Sequence, residues 1–236
     1  EVMKAVGVKH SPTLVDLYDN ALLCIFEELD PFGPRTGGHY IGPIFALPGA
    51  RTATWPEVAT RRILAYLRPD VAGFSPLMAA LAATQAHTLC IIPGLRREQV
   101  SRLSTDRLQI HTTPLALDGL LQGADAFVNY GGSGVVCQSL LAGVPMVIAP
   151  RYIEQYLNAQ RAEALGTAVV LGNDRGQEDC ATALKTVLED SAFRSKAQTF
   201  ATRHQGFDSG QAIEHAVLAI ERAVEQKGVT GRGLNG

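Results

Sequence analysis

The sequence lacks the features that mark several large classes of protein. Across its 236 residues no apolar run approaches the roughly 18–20 residues that span a membrane, and no signal peptide pattern opens the chain. The net charge of −2 argues against nucleic acid as a partner, because proteins that bind it usually carry basic stripes. The four cysteines show no Cys-x-x-Cys or Cys/His ligand spacing, so we predict small buried side chains in a reducing cytoplasm.

Common catalytic arrangements are also missing from the sequence. There is no Asp-x-Asp motif that would hold a metal, and no Ser/His/Asp or Cys/His grouping at usable spacing. The composition, 46% hydrophobic and 19% charged, is that of an ordinary globular protein with ample core. We therefore expect no essential metal, no cofactor and no general base within this chain.

Apolar runs typical of strands alternate with helical patterns along most of the chain. The predicted strands are Leu22–Phe26, Val71–Phe74, Leu89–Ile92, Leu108–His111, Ala126–Asn129, Val144–Ala149 and Ala168–Leu171. The predicted helices are Leu77–Ala86, Arg96–Leu103, Leu115–Leu121, Val135–Leu141, Ile153–Leu165, Ala181–Leu188, Ala192–Arg203 and Ala212–Gln226. Such alternation predicts an α/β fold with a Rossmann-like, doubly wound parallel sheet. In the last helix Ile213, Val217, Ile220 and Val224 recur at helical spacing, which predicts a buried face.

The segment from Ala124 to Ala159 carries the most information. A short apolar strand leads into Gly131-Gly132-Ser133-Gly134, where glycine opens backbone angles closed to other residues and leaves room for a ligand at the main chain. The helix that follows begins with N–H groups that lack partners and point back at this loop. A second apolar strand, Val144–Ala149, completes a βαβ unit. The pattern predicts an anion site at the carboxyl edge of the sheet.

The same segment resembles the donor-binding half of GT-B glycosyltransferases, in the family of UDP-glycosyltransferases and antibiotic-modifying bacterial enzymes. Those proteins carry His-Gly-Gly-x-Gly-Thr, a Glu three residues on, Gly-Val-Pro, Pro-x-x-x-Asp/Glu-Gln and Asn-Ala. Here the matching residues, without insertion, are Tyr130 to Val135, Gln138, Gly143-Val144-Pro145, Pro150 to Gln155 and Asn158-Ala159. Looser similarity extends to Tyr40–Pro43, Trp55-Pro56 and Leu165-Gly166.

Three departures from the family pattern fall on positions that contact the donor. In the family the motif His contacts the donor phosphates, the Thr or Ser binds a phosphate oxygen, and the Glu holds the ribose hydroxyls. This chain has Tyr130, Val135 and Gln138 there. Because a hydrogen bond to a charged group is worth roughly 1.5–3 kcal/mol, two weakened contacts would cost about 100-fold in donor affinity.

The resemblance implies a set of donor-binding residues. Besides the glycine loop, Glu154 and Gln155 would bond the donor sugar, Thr113 and Leu115 would lie beside the base, and Ser75 would lie near the phosphates. The full set is Tyr130, Gly131, Gly132, Ser133, Gly134, Val135, Gln138, Glu154, Gln155, Ser75, Thr113 and Leu115. Structural explanations stay open: a tight turn for the glycines, a helix N-cap for Ser133, first-turn positions for Glu154 and Gln155, and simple packing for Tyr130.

The resemblance also implies that this chain is the carboxy-terminal piece of a larger, bacterial, metal-independent enzyme. A complete GT-B enzyme has two Rossmann-like halves, and this sequence does not begin with Met. We expect residues 1–39 to be the end of the amino-terminal half plus a Gly/Pro-rich connector (Pro31–Gly49), residues 40–228 the donor-binding domain, and residues 229–236 a flexible tail. The acceptor, a small molecule or lipid, and the general base would belong to the amino-terminal half, so this chain alone is expected to transfer no sugar.

Two alternatives remain at this point. A non-catalytic subunit or relic of the same fold would have lost donor binding through the three departures. A dinucleotide oxidoreductase is disfavoured, because its Gly-x-Gly-x-x-Gly fingerprint belongs to the first βαβ unit, whereas Gly131–Gly134 follow about the fourth strand of the main sheet.

Overall fold

The structure is a computed structural model that describes residues 22–45, 51–57, 60–70 and 73–232, with side chains in the last helix described as far as residue 222. In chain order the elements are strand β1 (Leu22–Leu23), a 3-10 helix (Glu27–Leu29), β2 (His39–Tyr40), β3 (Arg62–Tyr66), helix α1 (Phe74–Ala83), β4 (His87–Ile91), α2 (Arg97–Leu103), β5 (Leu108–His111), α3 (Asp118–Gln122), β6 (Ala126–Asn129), α4 (Ser133–Leu141), β7 (Met146–Ile148), α5 (Ile153–Ala164), β8 (Ala168–Val170), α6 (Gln177–Glu189), α7 (Ser191–Arg203) and α8 (Ser209–Arg232).

The chain divides into two compact units. Of the described residues, those within 45–207 form the larger unit, and residues 22–44 together with 208–232 form the smaller one. The predicted main domain, residues 40–228, differs from this division mainly at its carboxyl end. Helix α8 groups with residues 22–44, and it continues to Arg232, beyond the point where the tail was predicted to begin.

A six-stranded parallel sheet is the frame of the larger unit. Its strand order is β5-β4-β3-β6-β7-β8, so the chain builds one half outward from β3 and then returns to build the other half from β6. All residues of β4, β6 and β7 are buried, as expected where helices cover both faces of a parallel sheet. The predicted Rossmann-like, doubly wound fold is confirmed.

Helices pack on this sheet through apolar side chains. Helix α1 packs against α6, and Leu77, Leu81 and Leu184 from these two helices join Ile63 and Ala65 of β3 in one buried core cluster. Helix α4 packs against α7. This packing fixes the loops that leave the carboxyl ends of the strands, where a ligand would bind.

One predicted strand was wrong where the structure describes it. The run Val71–Phe74 was predicted as a strand; Val71 and Ala72 lie outside the described residues, but Gly73 has a left-handed backbone, with φ +76°, and Phe74 begins helix α1. The strand lies earlier, at Arg62–Tyr66, where Ile63, Leu64 and Ala65 are fully buried. The apolar run there is framed by arginines, and periodicity alone does not tell such a short run from a helical turn.

The predicted buried face of the last helix was also wrong for the side chains that the structure describes. Val217 is 47% exposed and Ile220 is 61% exposed, while Ile213 is half-buried. Within the smaller unit, Leu218 and Ile220 line a groove of about 830 Å³ together with Leu22 and Tyr40. Helical spacing shows that apolar side chains share a face, but it does not show that another element covers them.

A buried carboxylate organises the connector of the smaller unit. Asp30 is fully buried and accepts hydrogen bonds from the Arg35 guanidinium at 2.8 Å, the Tyr40 hydroxyl at 2.8 Å and the Phe32 amide at 2.9 Å. Burial raises the pKa of Asp30, but these hydrogen bonds and the Arg35 charge outweigh it, so the pKa lies below its usual value. The part of the predicted connector at residues 46–49 lies outside the described residues.

Candidate functional site

The glycine loop joins the end of β6 to the start of α4. Gly131 has φ +85°, and a Cβ atom built on it would lie 2.7 Å from the Gln155 carbonyl oxygen. Its N–H donates to the Asn129 side chain at 2.7 Å, and its carbonyl accepts from the Asn158 amide at 2.9 Å. Gly131 is therefore required by backbone conformation and by the close approach of α5.

The other two glycines leave space at the start of α4. The helix begins at Ser133, two residues earlier than predicted, and Gly132 rather than Ser133 is the N-cap residue. Among the described residues no side chain caps this helix. A Cβ atom on Gly134 would have no atom within 4 Å, and one on Gly132 would meet only Val135, at 3.9 Å. Space is thus left beside the first turn of α4, whose first N–H groups have no acceptor within the helix, an arrangement that suits an anion.

The loop lies at the point where the strand order of the sheet reverses. Strands β3 and β6 are neighbours, although they are the first and fourth strands of this sheet along the chain. The connections after these strands leave toward opposite sides, which opens a crevice at their carboxyl ends. Ligands of open α/β sheets bind in such a crevice.

Tyr130 links the two sides of this crevice. Its ring is buried, with 8% exposed, and its hydroxyl accepts from the Arg68 amide at 3.0 Å and donates to the Arg68 carbonyl at 3.1 Å. Burial raises the pKa of Tyr130 above its ordinary value, with smaller opposing effects that include the charges of Arg175 and Arg151. Because the one phenolic proton is used by Arg68, this geometry does not support the phosphate contact predicted for Tyr130.

The start of α5 packs against the glycine loop. Asn158 donates to both the Gly131 carbonyl and the Glu154 carboxylate, each at 2.9 Å. The Gln155 side-chain oxygen accepts from the Arg151 amide at 3.0 Å. Glu154 is exposed and Gln155 is half-buried. The structure therefore brings both predicted sugar-binding residues next to the loop, with the Gln155 side chain bonded to the main chain that leads into α5.

Val135 and Gln138 lie on the first two turns of α4. Val135 is half-buried and offers no polar group except its backbone. The Gln138 amide nitrogen lies 3.5 Å from an Asp118 carboxylate oxygen, and both residues line a cavity of about 330 Å³. The predicted ribose contact of Gln138 would therefore compete with Asp118.

The remaining predicted residues follow strands other than β6. Ser75 is exposed in the first turn of α1, which follows β3 and not the strand predicted at Val71–Phe74. Thr113 and Leu115 follow β5, three strands from β6, which corresponds to about 14 Å across the sheet. Thr113 is exposed, whereas Leu115 is buried beside Arg51.

Charged residues around the crevice were not among the predicted site residues. Asp70 lies 3.3 Å from the Arg68 guanidinium and 3.8 Å from that of Arg151. Arg175 is buried and donates to the Gly172 carbonyl, and a Cβ atom on Gly73 would lie 2.7 Å from its Nε. The signal in the sequence was their position in loops that follow parallel strands, where binding residues concentrate.

The described part of the chain contains no cluster of three or more His, Cys, Asp or Glu residues that could hold a metal ion.

Cys90, Cys137 and Cys180 are buried, whereas Cys24 is exposed, in contrast to the prediction that the cysteines are buried. Burial raises the pKa of the Cys90 thiol to about 12.

Within the described ranges, no helix combines the length and the apolar composition needed to cross a bilayer.

The fold and the glycine loop define a Rossmann-like domain of the GT-B glycosyltransferase class. Residues 75–215 match the family described as "Erythromycin biosynthesis protein CIII-like, C-terminal domain". The chain belongs to this family, which confirms the resemblance seen in the sequence.

Individual proteins agree with this assignment. UDP-glucuronosyltransferase 1A6 of Oryctolagus cuniculus is 31% identical over 108 residues, covering 45% of this chain and 20% of that protein. The glycosyltransferase of kitacinnamycin superposes with a TM-score of 0.74 at 21% identity, covering 94% of this chain and 60% of that one. Glycosyltransferase VinC, in complex with dTDP, has a TM-score of 0.62 at 19% identity, covering 74% and 45%. The chain thus spans about a fifth of the curated relative.

Proposed function

We propose that this chain is the donor-binding half of a glycosyltransferase that uses a nucleotide diphosphate sugar, UDP- or dTDP-hexose. The observation that carries the proposal is the uncapped start of α4, which lies behind open-sided glycines where the strand order reverses. An anion there meets several backbone N–H groups and the positive end of a helix dipole. A pyrophosphate is the anion that such a site in an α/β sheet most often takes.

The names of related proteins support this donor class. The curated relative is named as a UDP-glucuronosyltransferase, and VinC was solved in complex with dTDP. We assign the diphosphate to the backbone N–H groups of Ser133, Gly134 and Val135. The finer assignments, Gln138 to the ribose, Glu154 and Gln155 to the sugar, Thr113 and Leu115 to the base and Ser75 to the phosphates, stay predictions.

Catalysis by the whole enzyme would use residues outside this chain. We propose that the general base and the acceptor, a small molecule or lipid, belong to an amino-terminal domain. The reaction would need no metal and no cofactor, because helix dipoles and side chains stabilise the leaving diphosphate. A cytoplasmic location suits a nucleotide-sugar substrate.

Isothermal titration with UDP and dTDP tests donor binding. We expect saturable binding to the unaltered chain and its loss in Gly132→Val, whose side chain would occupy the space beside the helix N–H groups. Gly206→Val is the matched control, because the Cβ position of Gly206 has no atom within 4 Å and that of Gly132 has only Val135, at 3.9 Å, but Gly206 lies in the loop after α7. Equal affinity in all three proteins would place the ligand elsewhere.

The alternative is a non-catalytic relic of the same fold, favoured by Tyr130, Val135 and Gln138 at the three donor-contacting positions. It predicts no saturable heat with either nucleotide. The same titration therefore separates the two functions.

A further inference from the structure

Two arginines and one aspartate form a chain of charges across the crevice. The Arg68 guanidinium lies 3.3 Å from one Asp70 oxygen, and the Arg151 guanidinium lies 3.8 Å from the other. Arg68 and Asp70 belong to the loop after β3, whereas Arg151 belongs to the loop after β7. These loops flank the glycine loop, because β3 and β7 are the two neighbours of β6 in the sheet.

Each arginine is held close to the glycine loop by an independent contact. Both main-chain polar groups of Arg68 are bonded to the Tyr130 hydroxyl, and Tyr130 directly precedes Gly131. The Arg151 amide is bonded to the side chain of Gln155, whose carbonyl oxygen is the atom that a Cβ on Gly131 would meet at 2.7 Å. The main chain that carries each arginine is therefore held by the same contacts that shape the loop.

The balance of charge at this edge is positive. Arg68, Arg151 and the buried Arg175 lie near Tyr130, with Asp70 beside them and the Glu154 carboxylate at the start of α5. The ion pair between Arg151 and Asp70 is long, and only 21% of the Arg151 side chain is exposed. The Arg151 guanidinium carbon also lies 5.0 Å from the centroid of the Tyr152 ring. A guanidinium has five N–H donors in a planar fork, so these two contacts leave donors for a phosphate.

We propose that Arg151 and Arg68, linked through Asp70, supply the positive charge that binds the diphosphate of the donor at the glycine loop. This inference rests on the proposed function and adds the residues that neutralise the leaving group. Tyr130 is then a positioning residue, since it acts through the main chain of Arg68. Arg151, the less exposed of the two arginines, carries most of the effect, because charges held away from water are screened less.

The test is titration of the chain with dTDP and with UDP in three variants. Arg151→Gln should weaken binding by about ten- to one-hundredfold, the loss of a hydrogen bond between charged groups. Arg61→Gln is the matched control, because Arg61 also pairs with an aspartate, Asp125 at 3.1 Å, but lies at the opposite edge of the sheet. Its affinity should not change.

The variant Asp70→Asn should change the affinity for the nucleotide in the opposite direction to Arg151→Gln. Removal of a negative charge beside the diphosphate should tighten binding by about two- to fivefold, and both effects should shrink as salt is raised. If Asp70 served only to hold the loops in place, Asp70→Asn would weaken binding instead.

The outcomes separate this inference from the proposed function. If the unaltered chain binds neither nucleotide, the proposed function fails and the inference fails with it. If the unaltered chain binds but Arg151→Gln matches Arg61→Gln, or if Asp70→Asn weakens binding, only the inference is overturned. Weaker binding in Arg151→Gln together with tighter binding in Asp70→Asn supports it, even if Arg151→Gln also lowers stability.

Discussion

The glycines of the loop have different physical roles, although the sequence presents them as one motif. Gly131 has a left-handed backbone and no room for a side chain, because its Cβ position is 2.7 Å from a backbone oxygen. Gly134 lies in the first turn of α4 with open space around it. Gly131 therefore serves the fold, while Gly132 and Gly134 leave the approach to the helix open.

Replacing Gly131 and Gly134 should have opposite effects on stability. Gly131→Ala should lower the free energy of unfolding by about 1–3 kcal/mol or more, from backbone strain and the contact with α5. Gly134→Ala should be neutral or stabilising by up to about 1 kcal/mol, because alanine favours the helix. Urea denaturation measures both, and an unchanged midpoint in Gly131→Ala would contradict the assignment.

Among the three positions that differ from the family motif, Val135 is the one whose side chain most simply removes a contact with the nucleotide sugar. Its backbone N–H is proposed to meet the diphosphate, but its side chain cannot. Val135→Thr should tighten dTDP or UDP binding by about 0.5–1.5 kcal/mol, the value of one hydrogen bond. Calorimetric titration checks this, and flat or weaker affinity would indicate that the site is adapted to another ligand.

At the scale of elements, Tyr130 ties the loop after β3 to the end of β6. Tyr130→Phe removes both hydrogen bonds to Arg68 while keeping the buried ring, so unfolding should become easier by about 1–3 kcal/mol. Exchange of the Arg68 amide hydrogen should also accelerate. Tyr66→Phe, at the end of β3, is a suitable control. If the Arg68 amide hydrogen exchanged as slowly in Tyr130→Phe as in the unaltered chain, the hydrogen bonds between Tyr130 and Arg68 would not stabilise this loop.

The sequence predicted the strands and helix that directly flank the glycine loop better than the neighbouring strand β3. The βαβ unit from β6 to β7 was found, because apolar strands and glycines mark it clearly. The strand Arg62–Tyr66 was missed, since its short apolar run lacks alternation. The contacts of Tyr130 with Arg68 and of Asn158 with Gly131 could not be predicted, because each joins residues distant in sequence that only the folded sheet brings together.

At the scale of the whole molecule, the smaller unit should be sensitive to acid. The folded-state pKa of Asp30 lies below its unfolded value of about 4. Asp30 therefore stabilises the unit above that pH, and the contribution is lost as pH falls through the folded pKa. Asp30→Asn should be less stable than the unaltered chain at pH 7, with a smaller difference at about pH 3. An equal difference in denaturation experiments at both pH values would contradict this role.

The central claim is that a nucleotide diphosphate binds at the start of α4. NMR titration of the isotope-labelled chain with dTDP tests it most directly, because each backbone amide reports separately. We predict that the largest shifts occur at Ser133, Gly134 and Val135, whose N–H groups begin the helix. Saturable shifts confined to other parts of the chain, or none at any concentration of dTDP or UDP, would contradict it.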